Sequence, residues 1–290
     1  MKLLYLSEIV GKCGLQTIVH CLPIVKKTFS PDYIIANANS CTGFAGLGRQ
    51  HAGMLRKYGV HCITLGGNAF LHTDIYEGSP LTYCVRPLNI EQGSLGLGVK
   101  LFQSRPQEKA NVSHSTSTQV SVTQSPYKKS NAIVVVALLG RFAQHRIISQ
   151  SPFQVIDTIC ERYENYAIFV DYSSFSTAEK QALAYYVAGR VSAVIGSGSK
   201  VVTADETILE GGTAFITDAG RTGSQLSSGG YLFENKIREY RTGLVEYAAC
   251  SWESPCLQGV FIELDEQNHA TKIERIYMRN ENTGSSYRNH

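Results

Sequence analysis

No run of apolar residues in this 290-residue chain approaches the roughly 18 residues that a membrane-spanning helix needs. The apolar start of the chain is interrupted at Ser7 and Glu8, too early for the roughly 7–15-residue apolar region of a signal peptide. Its 27 basic and 24 acidic residues are interspersed, without the clustered positive charge of a nucleic-acid-binding surface. These absences predict a cytoplasmic protein that binds neither a membrane nor nucleic acid.

The eight cysteines form no Cys-x-x-Cys pair and have no His at zinc-finger spacing. We therefore expect most of them to be buried as small hydrophobic residues. Hydrophobic residues make up 43% of the chain, which is ample apolar material for the core of a large domain.

Apolar runs of strand length alternate with helical patterns along the chain. The predicted strands are 3–6, 33–36, 61–65, 132–139, 167–171, 191–195, 213–217 and 259–264. A helix is predicted over 15–29, where Pro23 should kink or shorten it. The pair Ser176 and Glu179 forms a capping box at the start of a second helix. That helix carries an apolar stripe of Ala182, Leu183, Tyr186 and Val187.

This alternation of strands and helices predicts a layered α/β fold. A Ser/Thr-rich stretch at about 103–131 has too few apolar residues for a core of its own and is interpreted as a surface insertion. We predict one domain over 1–278 that carries this insertion, followed by a polar tail over 279–290. In layered α/β folds the ligand usually binds at the carboxyl ends of the strands, so those loops are searched for chemistry.

Short motifs in and after the predicted strands follow one another in a fixed order. They include Val10-Gly11-Lys12, Ile35-Ala36-Asn37, Leu138-Leu139-Gly140-Arg141, Thr203-Ala204-Asp205, Gly211-Gly212-Thr213-Ala214 and Ile216-Thr217-Asp218. Through these motifs the chain from residue 1 to about 276, apart from the insertion, resembles the calcineurin-like metallophosphoesterases. The similarity is to the YmdB-like branch of bacterial 2′,3′-cyclic-nucleotide phosphodiesterases. It implies an α/β sandwich of two β-sheets flanked by helices.

The resemblance also implies two divalent transition-metal ions, such as Fe or Mn, which polarise the phosphodiester and generate a hydroxide nucleophile. Most positions that match the family's metal and catalytic residues carry other side chains in this sequence. Glu8 stands at the family's first Asp, Asn39 and Ser40 at its bridging Glu and following Asn, Gly67 and Asn68 at its Asn-His pair, Ser173 at a single His, and Gly198 and Lys200 at its His-x-His pair. Only Glu8 keeps a metal-binding side chain of the expected class.

This pattern predicts a degenerate member of the family, with no metal cofactor and no catalytic residue. A protonated ammonium has no lone pair, and the charge of Lys200 opposes the entry of a dication. In the family the first Asp and the second His of the pair bind the same metal. We therefore expect a direct Glu8–Lys200 ion pair in place of that metal, with hydrogen bonds from Asn39, Asn68 and Ser173 around it.

The sequence allows three functions. The favoured one is a catalytically inactive metallophosphoesterase-like protein, a pseudoenzyme, that acts through an unidentified protein partner or as a homo-oligomer. The second is an active phosphodiesterase with a rebuilt metal site, for which His72 beside Asp74 is the nearest candidate ligand. The alternative is that His72 binds no metal and is only a polar residue at the start of a helix.

The third function is a sensor that binds a nucleotide or phosphate without cleaving it. Its anion would contact side chains and backbone N–H groups of the strand-end loops. The residues predicted for this contact are Asn39, Asn68, Ser199 and Lys200. The inactive protein is favoured because an ion pair needs only two side chains, whereas a sensor must also retain its ligand.

Overall fold

The computed structural model describes residues 1–43, 45–91, 93–103, 132–142, 150–245 and 249–281. The α-helices are α1 (Gly11–Phe29), α2 (Arg49–Lys57), α3 (Pro152–Arg162), α4 (Thr177–Tyr186) and α5 (Phe233–Thr242). The strands are β1 (Lys2–Leu6), β2 (Glu8–Ile9), β3 (Tyr33–Asn37), β4 (Cys62–Thr64), β5 (Cys84–Val85), β6 (Val99–Gln103), β7 (Ala132–Leu139), β8 (Ala167–Ser173), β9 (Ala193–Ser197), β10 (Thr207–Leu209), β11 (Thr213–Ile216), β12 (Arg221–Ser224), β13 (Pro255–Leu264) and β14 (Ala270–Arg279).

The strands form two sheets. The first sheet has the order β2-β12-β13-β1-β3-β4-β5, and β14 pairs with β13. In it β1, β3, β4 and β5 run parallel, whereas β13 is antiparallel to β1. The second sheet has the order β10-β11-β9-β8-β7-β6, with β7, β8, β9 and β11 parallel. The parallel strands of each sheet therefore end at a common edge.

Three hydrophobic layers hold the two sheets and the helices together. The middle layer lies between the sheets, where Tyr5 and Phe169 pack with ring centroids 5.5 Å apart. One outer layer packs α1 and α2 on the first sheet, and the other packs α3 and α4 on the second. The order helix, sheet, sheet, helix confirms the predicted two-sheet α/β sandwich.

The predicted strands all occur, and the run 132–139 coincides with β7. Strand β14 was not predicted because it buries only two of its ten residues and lacks a continuous apolar run. The expectation that Pro23 shortens its helix is wrong, since α1 continues to Phe29. Pro23 lies on the exposed face of α1, where water can bond the carbonyl that the proline leaves without a partner.

The capping box at α4 is only half formed. The Ser176 hydroxyl accepts the Glu179 backbone N–H at 3.2 Å, as predicted. The reciprocal bond is replaced, because the Glu179 carboxylate accepts the Arg141 backbone N–H and the Ser174 hydroxyl. In the predicted apolar stripe of this helix, Leu183 and Val187 are buried but Ala182 and Tyr186 are exposed, which corrects that assignment.

All eight cysteines are free thiols, and all are buried except Cys250, which is half-buried. The predicted insertion lies outside the described residues except for Gln103, the last residue of β6. Arg279, placed in the predicted tail, instead closes β14, and the rest of the tail beyond residue 281 lies outside the described residues. Among the described residues, no helix combines the length and apolar character needed to cross a membrane.

Candidate functional site

The predicted site residues come from loops at the carboxyl ends of parallel strands in both sheets. Asn39 follows β3, Gly66 follows β4, Ser173 ends β8 and Gly198 follows β9. A Cβ on Gly66 would lie 3.0 Å from both the Asn39 side chain and the Ser173 hydroxyl. One on Gly198 would lie 3.4 Å from the same hydroxyl. The fold therefore brings loops separated by more than a hundred residues in sequence into one site between the sheets.

The charged centre of this site is the pair formed by Glu8 and Lys200. Lys200 Nζ lies 3.6 Å from Glu8 Oε1, so the ion pair expected from the sequence is present in the structure. Glu8 is 2% exposed and Lys200 23% exposed, which places the pair at the half-open rim of the site. The Ser40 hydroxyl donates a short hydrogen bond to the same Glu8 oxygen. Lys200 has the left-handed backbone conformation, with φ at 60°.

The hydrogen bonds expected around this pair from Asn39 and Asn68 are not formed. Asn39 Oδ1 accepts the backbone N–H groups of Gly66 and Asn68, each at 2.9 Å. Asn68 Nδ2 donates to the Asn39 carbonyl at 3.0 Å. The two amides are thus turned toward the loop backbones, because those N–H and C=O groups would otherwise be left without partners. Ser40 takes the role at Glu8 that was assigned to Asn39, Asn68 and Ser173.

A second cation near Glu8 escaped the sequence analysis. Arg221 begins β12, directly beside Glu8 in the β2–β12 register. Its buried guanidinium donates to the carbonyls of Lys200 at 2.7 Å, Ser224 at 3.0 Å and Gln225 at 3.1 Å. Burial lowers the pKa of Arg221, and the Glu8 carboxylate opposes that shift. Glu8 therefore faces two positive charges, one of which also fixes the backbone of Lys200.

A second ion pair, formed by Lys180 and Asp218, holds the loop that carries Lys200. Lys180 Nζ on α4 lies 2.8 Å from Asp218 Oδ2, and neither side chain is exposed. The same Asp218 oxygen accepts the Ser199 backbone N–H at 2.8 Å, and Lys180 donates to the Ser199 hydroxyl at 3.2 Å. A Cβ at Gly196 would collide with the Thr217 carbonyl and crowd the Lys180 side chain. Glycine at 196 is thus required by this packing.

Between the sheets, beneath the site, Asp171 is surrounded by neutral donors. It accepts hydrogen bonds from Tyr5 at 2.9 Å, Asn37 at 3.0 Å and Ser197 at 2.7 Å, and a short one from Thr64. Burial raises the pKa of Asp171, although these hydrogen bonds to the carboxylate oppose the shift. Because the donors come from strands of both sheets, Asp171 ties the sheets together under the strand-end loops.

The donors at this site do not fit a dinuclear metal centre. Two divalent ions need several carboxylate and imidazole ligands, whereas Glu8 is a single carboxylate flanked by cations. Across the described ranges, no three His, Cys, Asp or Glu side chains form a group that could hold a metal ion. His72 directly precedes a short 3₁₀ helix (Thr73–Tyr76), and Asp74 accepts the Arg49 backbone N–H at the start of α2. Asp74 therefore acts as a helix cap.

Three of the four residues predicted to bind an anion have polar groups engaged within the protein. These are Asn39 and Asn68, which bond each other's loops, and Ser199, which bonds Asp218 and Lys180. The fourth, Lys200, is paired with Glu8 but remains partly exposed. An anion would have to compete for the Asn68 Nδ2 and the Ser199 N–H, whereas the Asn39 bonds are accepted by its Oδ1 and do not occupy its amide N–H groups.

The two stacked sheets, the outer helices and the site at the strand ends define a phosphoesterase-type α/β sandwich. A solved structure described as a novel phosphatase from Mycoplasma pneumoniae has this fold, with a TM-score of 0.83 and 27% identity, covering 96% of this chain and 93% of that one. A hypothetical protein from Thermus thermophilus is similar, with a TM-score of 0.80 and 26% identity, covering 97% of this chain and all of the other.

The sequence comparisons assign the family. The model of the YmdB-like proteins matches residues 4–276, and the chain therefore belongs to the YmdB-like family. The 2′,3′-cyclic-nucleotide 2′-phosphodiesterase of Bacillus subtilis is 28% identical over 283 residues, which cover 97% of this chain and 98% of that protein. Family membership thus confirms the resemblance stated from the sequence motifs.

Proposed function

We propose that this protein is a non-catalytic member of its phosphodiesterase family, in which the Glu8–Lys200 ion pair takes the place of a metal. The Lys200 ammonium, 3.6 Å from the Glu8 carboxylate, carries this proposal. The Bacillus subtilis relative is named for 2′,3′-cyclic nucleotides, so these are the substrates to test. We further propose that the protein acts in the cytoplasm through a protein partner or another copy of itself.

Electrostatics supports the proposal. At about 4 Å and an effective dielectric constant of about 20, an ammonium repels a dication by roughly 8 kcal/mol, twice the value for two unit charges. Arg221 adds a second positive charge near the same carboxylate. By the same estimate the Glu8 carboxylate attracts a dication about as strongly, so the Lys200 ammonium beside it cancels that attraction. Metal entry would first have to displace Lys200.

The test is a metal analysis joined to an activity assay. The protein is expressed with added manganese and iron, purified without chelator, and assayed on 2′,3′-cyclic AMP. We expect substoichiometric metal and hydrolysis no faster than the blank. Stoichiometric manganese or iron together with cyclic-nucleotide hydrolysis would overturn the proposal.

Two variants separate the loss of ligands from the added charge. Lys200→Met removes the ammonium without supplying a ligand and is expected to stay free of metal. A second variant restores the family's site at the matched positions with Glu8→Asp, Asn39→Glu, Ser40→Asn, Gly67→Asn, Asn68→His, Ser173→His, Gly198→His and Lys200→His. Metal uptake and hydrolysis by this variant alone would show that the scaffold is intact and only the ligands have changed.

The sensor alternative has one observation in its favour, the excess of positive charge around Glu8 from Lys200 and Arg221. A thermal-shift titration with 2′,3′-cyclic AMP and with inorganic phosphate tests it, because a ligand that binds the folded state raises the melting temperature. No shift at millimolar ligand removes the sensor. A shift that Lys200→Met abolishes would support it over an inert site.

A further inference from the structure

Helix α5 presents an exposed apolar face. It buries none of its residues. Phe233, Ile237 and Tyr240 recur at spacings of four and three, which is the a/d pattern of a coiled-coil seam. These three side chains, called here the α5 stripe, are between 46% and 77% exposed. A stripe of this spacing is typical of a helix that packs against another helix.

Backbone hydrogen bonds connect the segments that precede and follow α5. The backbone N–H of Leu232 donates to the Ala249 carbonyl at 3.0 Å, and that of Ser251 donates to the Gly230 carbonyl at 2.9 Å. At the other end Gly243 has φ at 72° and closes α5 with a bond to the Glu239 carbonyl at 2.8 Å. A left-handed glycine is a regular helix terminator. Backbone hydrogen bonds therefore join the segment that precedes α5 to residues 249 and 251.

The charged residues beside the α5 stripe would complement those of a second copy of the helix. With Phe233 and Tyr240 at d and Ile237 at a, Glu234 and Arg241 both fall on the e edge, seven residues apart. In an antiparallel pair of two α5 helices, e faces e, so Glu234 of one copy meets Arg241 of the other twice by symmetry.

A parallel pair is disfavoured by the same charges. There the g edge of one helix faces the e edge of the other, which sets Lys236 against Arg241. A twofold interface requires a patch that complements its own copy, and the antiparallel arrangement meets this requirement. From this pattern we propose that the α5 stripe binds a second copy of this chain, with the two α5 helices antiparallel about a twofold axis.

The interface is small, because each copy contributes about three turns of helix. Standard stable interfaces bury roughly 800 Å² per partner, so a contact built on three side chains predicts a dimer that dissociates on dilution. Sedimentation velocity of the wild-type chain over a range of concentrations should show a reversible monomer–dimer equilibrium. A wild-type chain that stays monomeric at the highest concentration tested would overturn the proposal.

Charge reversal identifies the surface and its orientation. In Glu234→Arg two arginines face each other, and in Arg241→Glu two glutamates do, so each variant alone should dimerise about tenfold more weakly or worse. An equimolar mixture of the two variants restores both opposite-charge contacts and should recover the wild-type affinity. This recovery is specific to the antiparallel arrangement.

The controls use the same readout. Both side chains are on the surface, so circular dichroism and the melting temperature of the monomeric variants should match those of the wild type. Ile237→Asp places a charge in the centre of the stripe and should abolish the dimer. If the single variants assemble like the wild type, or if their mixture fails to associate, the proposed interface is wrong.

Discussion

Two lysine–carboxylate pairs flank the loop after β9, and they differ mainly in burial. Lys180 and Asp218 are fully buried with their charged atoms 2.8 Å apart. Lys200 and Glu8 are 3.6 Å apart, and Lys200 is partly exposed. Ser199 directly precedes Lys200 in the sequence and bonds Asp218 through its backbone N–H. We call the part of this loop at Ser199, which is held by the buried pair, its root, and Lys200, which belongs to the partly exposed pair, its tip.

This difference predicts that the tip of the loop tolerates substitution better than its root. A buried ion pair is costly to break, because removing one partner leaves an uncompensated charge. The Lys200 side of the second pair is partly exposed to water, so that its replacement costs less. The backbone at Ser199 is held by Asp218, independently of the side chain at 200. Residues at the tip can thus be exchanged without loss of the loop's conformation.

The largest expected effect comes from breaking the buried pair. Asp218→Asn removes the charge that balances Lys180, which has no exposure to water. We expect the free energy of unfolding to fall by about 3–5 kcal/mol. Urea denaturation followed by circular dichroism measures this change. A loss below about 1 kcal/mol would mean that burial does not distinguish the two pairs.

The matched control removes both charges. In Lys180→Met combined with Asp218→Asn neither member of the pair is charged, and the amide oxygen can still accept one of the N–H groups that now bond Asp218. The double variant should therefore be more stable than Asp218→Asn alone. If the two losses simply add, the two residues are not coupled, and the root of the loop is held by something other than this pair.

The half-open pair should respond much less. Lys200→Met leaves Glu8 with the Ser40 hydroxyl bond and with Arg221 nearby, so we expect a loss of only about 0–1 kcal/mol. Lys272→Met, in an exposed pair 2.6 Å from Glu274, serves as the reference for a solvated pair. The same denaturation experiment compares the two. A loss at Lys200 as large as that of Asp218→Asn would reverse the comparison.

Much of the fold follows from the sequence because buried parallel strands are continuous apolar runs. The run Ala132–Leu139 is buried at every residue and coincides with its predicted strand. Strand β14 alternates buried and exposed residues irregularly and depends on β13 for its pairing, so its local sequence gives little signal. Helix α5 likewise buries nothing and was not predicted.

At the site, the proximity of Glu8 and Lys200 could be predicted from the motif order, because loops at the strand ends meet at one edge. Arg221 and Lys180 could not be found in this way. Lys180 lies within a helix whose apolar pattern gives no sign that an ammonium is fully buried there. The roles of Asn39 and Asn68 depend on which loop N–H groups need acceptors, and that is settled only when the loops are folded. Polar contacts of this kind are tertiary information.

The smallest expected effect concerns how the free energy of unfolding depends on pH. Burial lowers the pKa of His61, with nearby Arg56 and Lys26 acting in the same direction, and His61 Nδ1 accepts the Ile34 backbone N–H at 3.0 Å. Between its lowered folded pKa and about 6.5, the unfolded state binds more protons, so stability rises with pH through that window and is lost as pH falls. His61→Asn keeps an acceptor for Ile34 but does not titrate. The slope of the unfolding free energy against pH should therefore become shallower below about pH 6.5.

His51, whose pKa burial also lowers, should leave a residual slope. An unchanged slope in His61→Asn would show that His61 is not its source.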